Sequence, residues 1–88
     1  MDATKIIAPA VHLNGTDRTG LVEQYTKALE AVNSAVNAMS TVYPHGRDYY
    51  ILEPGSYGVA SEQHNARVRK LVSVRDELFE ILKAVRDV

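Results

Sequence analysis

In the polar run His45-Gly46-Arg47-Asp48-Tyr49-Tyr50, a cation, an anion and two adjacent phenols fall within six residues. The guanidinium of Arg47 is a planar fork that matches a phosphate or a carboxylate. Tyrosine rings stack on nucleobases, worth about 1–3 kcal/mol each in single-stranded nucleic-acid sites. Asp48 can accept hydrogen bonds from a base edge or orient Arg47. Neighbouring residues of a turn point different ways, so Tyr49 and Tyr50 cannot both enter a core. At least one faces a groove, a partner or a ligand. The competing structural account pairs Arg47 with Asp48 or Glu53 and packs one tyrosine under the loop. Each residue taken singly fits that account. The cluster as a whole points to binding, because polar loop residues more often carry binding than packing.

A second candidate is His12-Leu13-Asn14-Gly15-Thr16, just ahead of a helical pattern. A helix start presents unpaired amide protons and the positive end of the dipole, which favour phosphate. Gly15 permits close backbone approach, and His12, Asn14 and Thr16 add side-chain donors. The alternative is plain capping by Thr16 or Asp17, with Asn14-Gly15 as a turn. For Asp17 capping is the better account, since a carboxylate there repels phosphate. A third candidate, His64 with Gln63 and Asn65, fits the end of a core better than a site.

Catalysis finds little support. The chain has no HExxH, CxxC, P-loop or GxSxG pattern. Histidines at 12, 45 and 64 lack the spacing of zinc ligands. No nucleophile has a positioned base, so neither an enzyme nor a bound cofactor or metal is expected. The net charge of −1 lacks the basic excess of a duplex-DNA binder. There is no cysteine, hence no disulfide to staple a thin core. The apolar run at the N-terminus is short and broken by Pro9, unlike a signal peptide. No window approaches the roughly 18 apolar residues of a membrane span. A soluble, cytoplasmic protein is expected, without membrane contact.

The elements that would position these clusters are helical. Residues 1–16 read as an extended arm carrying Ile6, Ile7, Val11 and Leu13, with Pro9 blocking a helix and Asn14-Gly15 marking a turn. A first helix is predicted over 18–42, capped by Thr16 or Asp17. Leu21, Tyr25, Ala28, Leu29, Val32, Ala35, Val36 and Met39 recur at spacings of three and four, which makes one apolar stripe. Residues 43–56 form the loop, and a second helix is predicted over 57–86 within a hairpin of residues 17–88. Its stripe is Leu71, Val74, Leu78, Ile81, Leu82 and Val85, with a second stripe of Val68, Val72 and Phe79 beside it. One helix partner covers one stripe, so the wide face calls for a further partner. The preferred occupant is another copy of the chain; the alternative is the arm, through Ile6 and Ile7. The expected fold is therefore all-α: an antiparallel two-helix hairpin with an extended N-terminal arm, assembled into a helical-bundle homo-oligomer.

A first helix of about 24 residues spans roughly 36 Å. The His12–Thr16 cluster and the loop then lie at opposite ends of one hairpin. They meet only if hairpins pack antiparallel, so that the helix start of one subunit reaches the loop of the next, and such a site repeats by symmetry.

The order and spacing of His12-Leu13-Asn14-Gly15-Thr16 and Gly46-Arg47-Asp48-Tyr49-Tyr50, each ahead of a helix, resembles small phage and prophage helical-hairpin proteins from residue 11 onward. The match departs at Gly20, where an acidic residue would complete a capping box. In size, in lacking catalytic residues and in its Tyr/Arg cluster, the chain is also similar to the phage anti-CBASS and anti-Thoeris sponge proteins. That likeness implies a protein of the host bacterial cytoplasm that sequesters a cyclic oligonucleotide or ADP-ribose-derived immune signal without cleaving it. His12, Asn14, Thr16, Arg47, Asp48, Tyr49 and Tyr50 would then contact the small nucleotide at a subunit interface. The alternative is a phage protein that docks a host or virion protein through the second helix.

Overall fold

The computed structural model describes residues 5–87, which form two helices and no strand. Residues 1–4 of the expected arm lie outside the described residues. Helix α1 spans Arg18–Met39. Its start is fixed by Asp17, whose Oδ1 accepts from the Gly20 amide at 2.7 Å and whose carbonyl accepts from Leu21 at 3.0 Å. The other end tightens into a 3₁₀ turn, Ser40–Val42, three residues that the helical pattern alone assigns to α1. Two hydroxyls drive the tightening. Ser40 Oγ donates to the Asn37 carbonyl and Thr41 Oγ1 to the Ala38 carbonyl, each at 2.7 Å. Both add to the Ser40 amide, which donates to the same two carbonyls at the helix end. Pro44 then excludes helical backbone at the residue before it, and Tyr43 leaves with φ −59 and ψ 133.

The loop is a chain of tight turns. A second 3₁₀ turn spans Gly46–Asp48, closed by Asp48 N donating to His45 O and Tyr49 N donating to Gly46 O. Leu52 N donates to Tyr49 O and Ser56 N to Glu53 O. Gly55 has φ +91, a left-handed backbone that only glycine adopts cheaply, and it turns the chain into α2. Helix α2 runs Ser56–Arg86, nine residues longer than α1 (31 against 22).

The helices pack as an antiparallel hairpin: Val36 and Met39 near the end of α1 share a cleft with His64 and Val68 of α2. The first turns of α2 therefore overhang the end of α1, and the loop folds against them. The core is thin and sits mostly at the other end. Leu21 of α1 and Leu82 and Val85 of α2 are the buried apolar side chains among the described residues. The rest of the α1 stripe, from Tyr25 to Met39, is half-buried, while Glu23, Lys27, Glu30, Asn33 and Asn37 face water. Val74 departs from its expected place in the core and is 44% exposed, the same as Phe79 on the second stripe. The arm covers that stripe only in part. Ile6 lines a groove with Val72 and Asp76 but is still 37% exposed, and Ile7 is 69% exposed.

The particle is long, 61 × 29 × 18 Å, with a radius of gyration of 18.4 Å. A compact domain of this length has a radius near 12 Å.

Candidate functional site at the loop pole

The two clusters sit at opposite ends of the molecule. Between them lies α1, whose 22 residues cover about 33 Å. At the α1 entry, residues 12–15 form a turn in which Gly15 N donates to His12 O at 3.2 Å. The His12 ring folds over Gly15 so closely that a Cβ there would come within 2.6 Å of Nε2. His12, Asn14 and Thr16 are all exposed. The helix start itself is already taken by the Asp17 carboxylate. A negative group seated on the first amides opposes a phosphate at that point. Gly20 explains the departure from a capping box, since a Cβ at position 20 would lie 2.9 Å from Asp17 Oδ1. Glycine leaves the space through which Asp17 reaches the amide.

The loop pole is more open chemically. Arg47 and Asp48 are exposed, and among the described residues neither joins an ion pair. The pairing of Arg47 with Asp48 or Glu53 that would make this loop a closed structural knot is not formed. Tyr50 stands 79% exposed. Tyr49 turns the other way, half-buried, with its ring 6.2 Å from that of Tyr57 at a tilt of 45°. The two adjacent phenols thus divide as backbone geometry requires, one inward and one outward.

Tyr49 also lines two adjoining open grooves, which share Leu52, Pro54 and Gly55 as well. One, of about 380 Å³, runs along Leu52, Pro54, Gly55, Val59 and Gln63. The other, of about 240 Å³, lies between Gly46, Tyr50 and Tyr57. Glu53 lines both and makes an acceptor at their shared rim. The start of α2 contributes here. Gly55 offers no side chain as a cap, and the first turn carries no acidic residue. Ser56 N donates to Glu53 O and Val59 N to Gly55 O, which leaves the amides of Tyr57 and Gly58 without a capping partner among the described residues. The pole therefore combines stacking surface with the positive end of a 31-residue helix; Arg47 and Asp48 sit on the adjoining 3₁₀ turn and line neither groove.

At α1 the capping alternative is the one formed, through Asp17, and the helix start without a side-chain cap is that of α2. Sequence reasoning passes over that start and over Tyr57, the partner of Tyr49. The signal available for both is Pro54-Gly55, a turn with no capping side chain directly before the helix.

His64 is 4% exposed, and its ring stands at 71° to that of Tyr43 with centroids 4.8 Å apart. It closes the core at the loop end and does not line the grooves around Tyr49. Among the described residues no cluster of three or more His, Asp or Glu side chains could hold a metal ion. No helix among them is long and apolar enough to cross a membrane. Comparison with protein-family models, with curated proteins and with solved structures gives no match.

Proposed function

We propose that this chain binds a small anionic nucleotide at the loop pole and holds it without breaking a covalent bond. The observation that carries the reading is the exposed Tyr50 in the same short loop as Arg47, which is exposed and joins no ion pair among the described residues. A base would stack on Tyr50 or against Tyr49 and Tyr57. Arg47 and the open amides of α2 would hold phosphate, and Asp48 and Glu53 would accept from base or ribose. His12, Asn14 and Thr16 join the same site only from a neighbouring copy, in a symmetric homo-oligomer. Sequestration suits such a site, because a sponge need only bind tightly and outnumber its signal. A cyclic oligonucleotide or an ADP-ribose-derived immune signal of the host bacterium is the ligand class, and the protein would act in the cytoplasm as a phage anti-defence factor.

The test is thermal melting of the purified protein against cyclic di- and trinucleotides and cyclic ADP-ribose isomers. Binding at a hundredfold excess over Kd stabilises by about 2.7 kcal/mol, a shift on the order of 10–20 °C for a domain this small. A shift with one or two ligands, lost in Arg47→Ala, is expected. A flat panel sinks the proposal.

One observation favours a second reading. Phe79, on the second stripe of α2, is 44% exposed. A host or virion protein docked on α2 would cover it, and such a protein would be indifferent to Arg47→Ala.

A further inference from the structure

The chain exposes 6705 Å². A compact monomer of 9.7 kDa exposes about 5,100 Å². The excess is roughly twice the ~800 Å² that each partner contributes to a standard interface. The unpartnered surface includes the outer part of the second stripe of α2, where Phe79 is open and Val72 half-buried, while half-buried Val68 also borders the cleft with Val36 and Met39 of α1.

Beside that stripe runs a charged row. Glu62, Arg69, Asp76 and Lys83 follow one another at seven-residue spacing. Seven residues are nearly two turns, so the four side chains line one edge of the helix. Their signs read minus, plus, minus, plus. Reversed about the midpoint between Val72 and Ser73, the row becomes its own complement. Glu62 falls opposite Lys83 of a second copy, and Arg69 opposite its Asp76. A parallel partner would set every charge against itself.

We propose that α2 pairs antiparallel with α2 of a second copy of this chain, about a two-fold axis between Val72 and Ser73. Val68, Val72 and Phe79 form the apolar centre, and the charged row flanks it and fixes direction and register. Helix α1 closes one side of the seam. Ile6, itself exposed, borders the other at a groove it lines with Arg69, Val72 and Asp76. Within one chain, Asp76 already meets Arg75 at 3.6 Å and Lys83 meets Glu80 at 3.2 Å. Arg69 and Glu62 have no such partner among the described residues. They are the members of the row with most to gain.

The pairing has a consequence for the loop pole. With the axis at that midpoint, the start of α2 in one copy lies beside the end of α2 in the other, and hence beside the α1 entry of that copy. Tyr49, Tyr50 and Arg47 would face His12, Asn14 and Thr16 across the interface, twice per dimer. This consequence rests on the nucleotide reading; the pairing does not.

The experiment is sedimentation velocity of the full chain across a concentration series, with charge swaps. The dimer is expected. Arg69→Asp sets two like charges together at each of two symmetric places and weakens association by about tenfold or more. Asp76→Arg does the same, and the double variant Arg69→Asp with Asp76→Arg recovers the wild-type value. Because the chain has no cysteine, Val72→Cys gives a second readout: it should cross-link to itself on oxidation, while Glu23→Cys on the exposed face of α1 should not. A monomer at every concentration, or swaps without effect on the dimer, overturns the pairing. A dimer that binds no nucleotide defeats the functional reading alone, and a monomer whose melting shifts with nucleotide defeats the pairing alone.

Discussion

Tyr43 meets His64 edge to face, with ring centroids 4.8 Å apart and planes at 71°. Tyr43 lies just past the end of α1, and His64 lies two turns into α2. The contact ties the exit of one helix to the flank of the other, at the end of the hairpin that lacks Leu21, Leu82 and Val85. In this orientation the positive edge of one ring approaches the negative face of the other.

His64→Ala should cost about 2–3 kcal/mol, of which roughly 0.5–1.5 belongs to the ring pair and the rest to the vacated volume. That is a large share of the roughly 4–13 kcal/mol expected for a chain of this length. Denaturant unfolding of His64→Ala, Tyr43→Ala and the double variant measures the pair. Strict additivity of the two single losses would show that the rings do not interact.

At the α1 entry the expected behaviour is non-additive. Asp17→Ala removes the cap and should cost about 0.5–2 kcal/mol. Gly20→Ala improves helix propensity by about 1 kcal/mol, but its Cβ meets Asp17 Oδ1 at 2.9 Å and pushes the cap away. The single Gly20→Ala variant should therefore come out near neutral. In the Asp17→Ala background the same change should stabilise, with Thr16 Cγ2, also at 2.9 Å, shifting to make room. A Gly20→Ala variant as stabilised alone as it is beside Asp17→Ala would show that the cap does not depend on glycine.

The hairpin is readable in the sequence because periodicity reports burial directly. The α1 stripe from Leu21 to Met39 is the face turned inward, and Arg18 is where α1 starts. The end of α1 is less readable. Ser40 and Thr41 continue the helical pattern but bond back to Asn37 and Ala38 through their hydroxyls, a local competition that periodicity does not see. Spacing with Leu71 and Leu78 assigns Val74 inward, yet it lies on the edge of the stripe, where a single thin partner leaves it open. At the loop, the opposed directions of Tyr49 and Tyr50 follow from their adjacency. The contact of Tyr49 with Tyr57 depends on how far α2 overhangs α1, which is a tertiary fact with no local signature.

The two glycines around the start of α2 should respond with opposite sign. Gly55→Ala forces a side chain into φ +91 and should cost about 1–2 kcal/mol, although space around it is free. Gly58 lies inside the helix with ordinary φ, and a Cβ added there would meet nothing within 4 Å. Gly58→Ala should then gain up to about 1 kcal/mol. Paired thermal melts of the two variants decide this. A loss of stability in Gly58→Ala would mean that the open start of α2 is packed more closely than its geometry implies.

Tyr49 and Tyr50 should separate stability from binding. Tyr50 is 79% exposed, so Tyr50→Ala removes little buried area and should change unfolding by less than about 0.5 kcal/mol. If its ring stacks on a base, the same change should weaken nucleotide binding by about 1–3 kcal/mol, or roughly five- to 150-fold. Tyr49 packs against Tyr57 and walls both grooves, so Tyr49→Ala should lose stability and binding together. Tyr49→Phe keeps the ring and should retain most of both. Isothermal titration beside denaturant unfolding measures the split. A Tyr50→Ala protein that binds like wild type would remove the exposed phenol from the site and leave the grooves beside Tyr49 to account for any affinity.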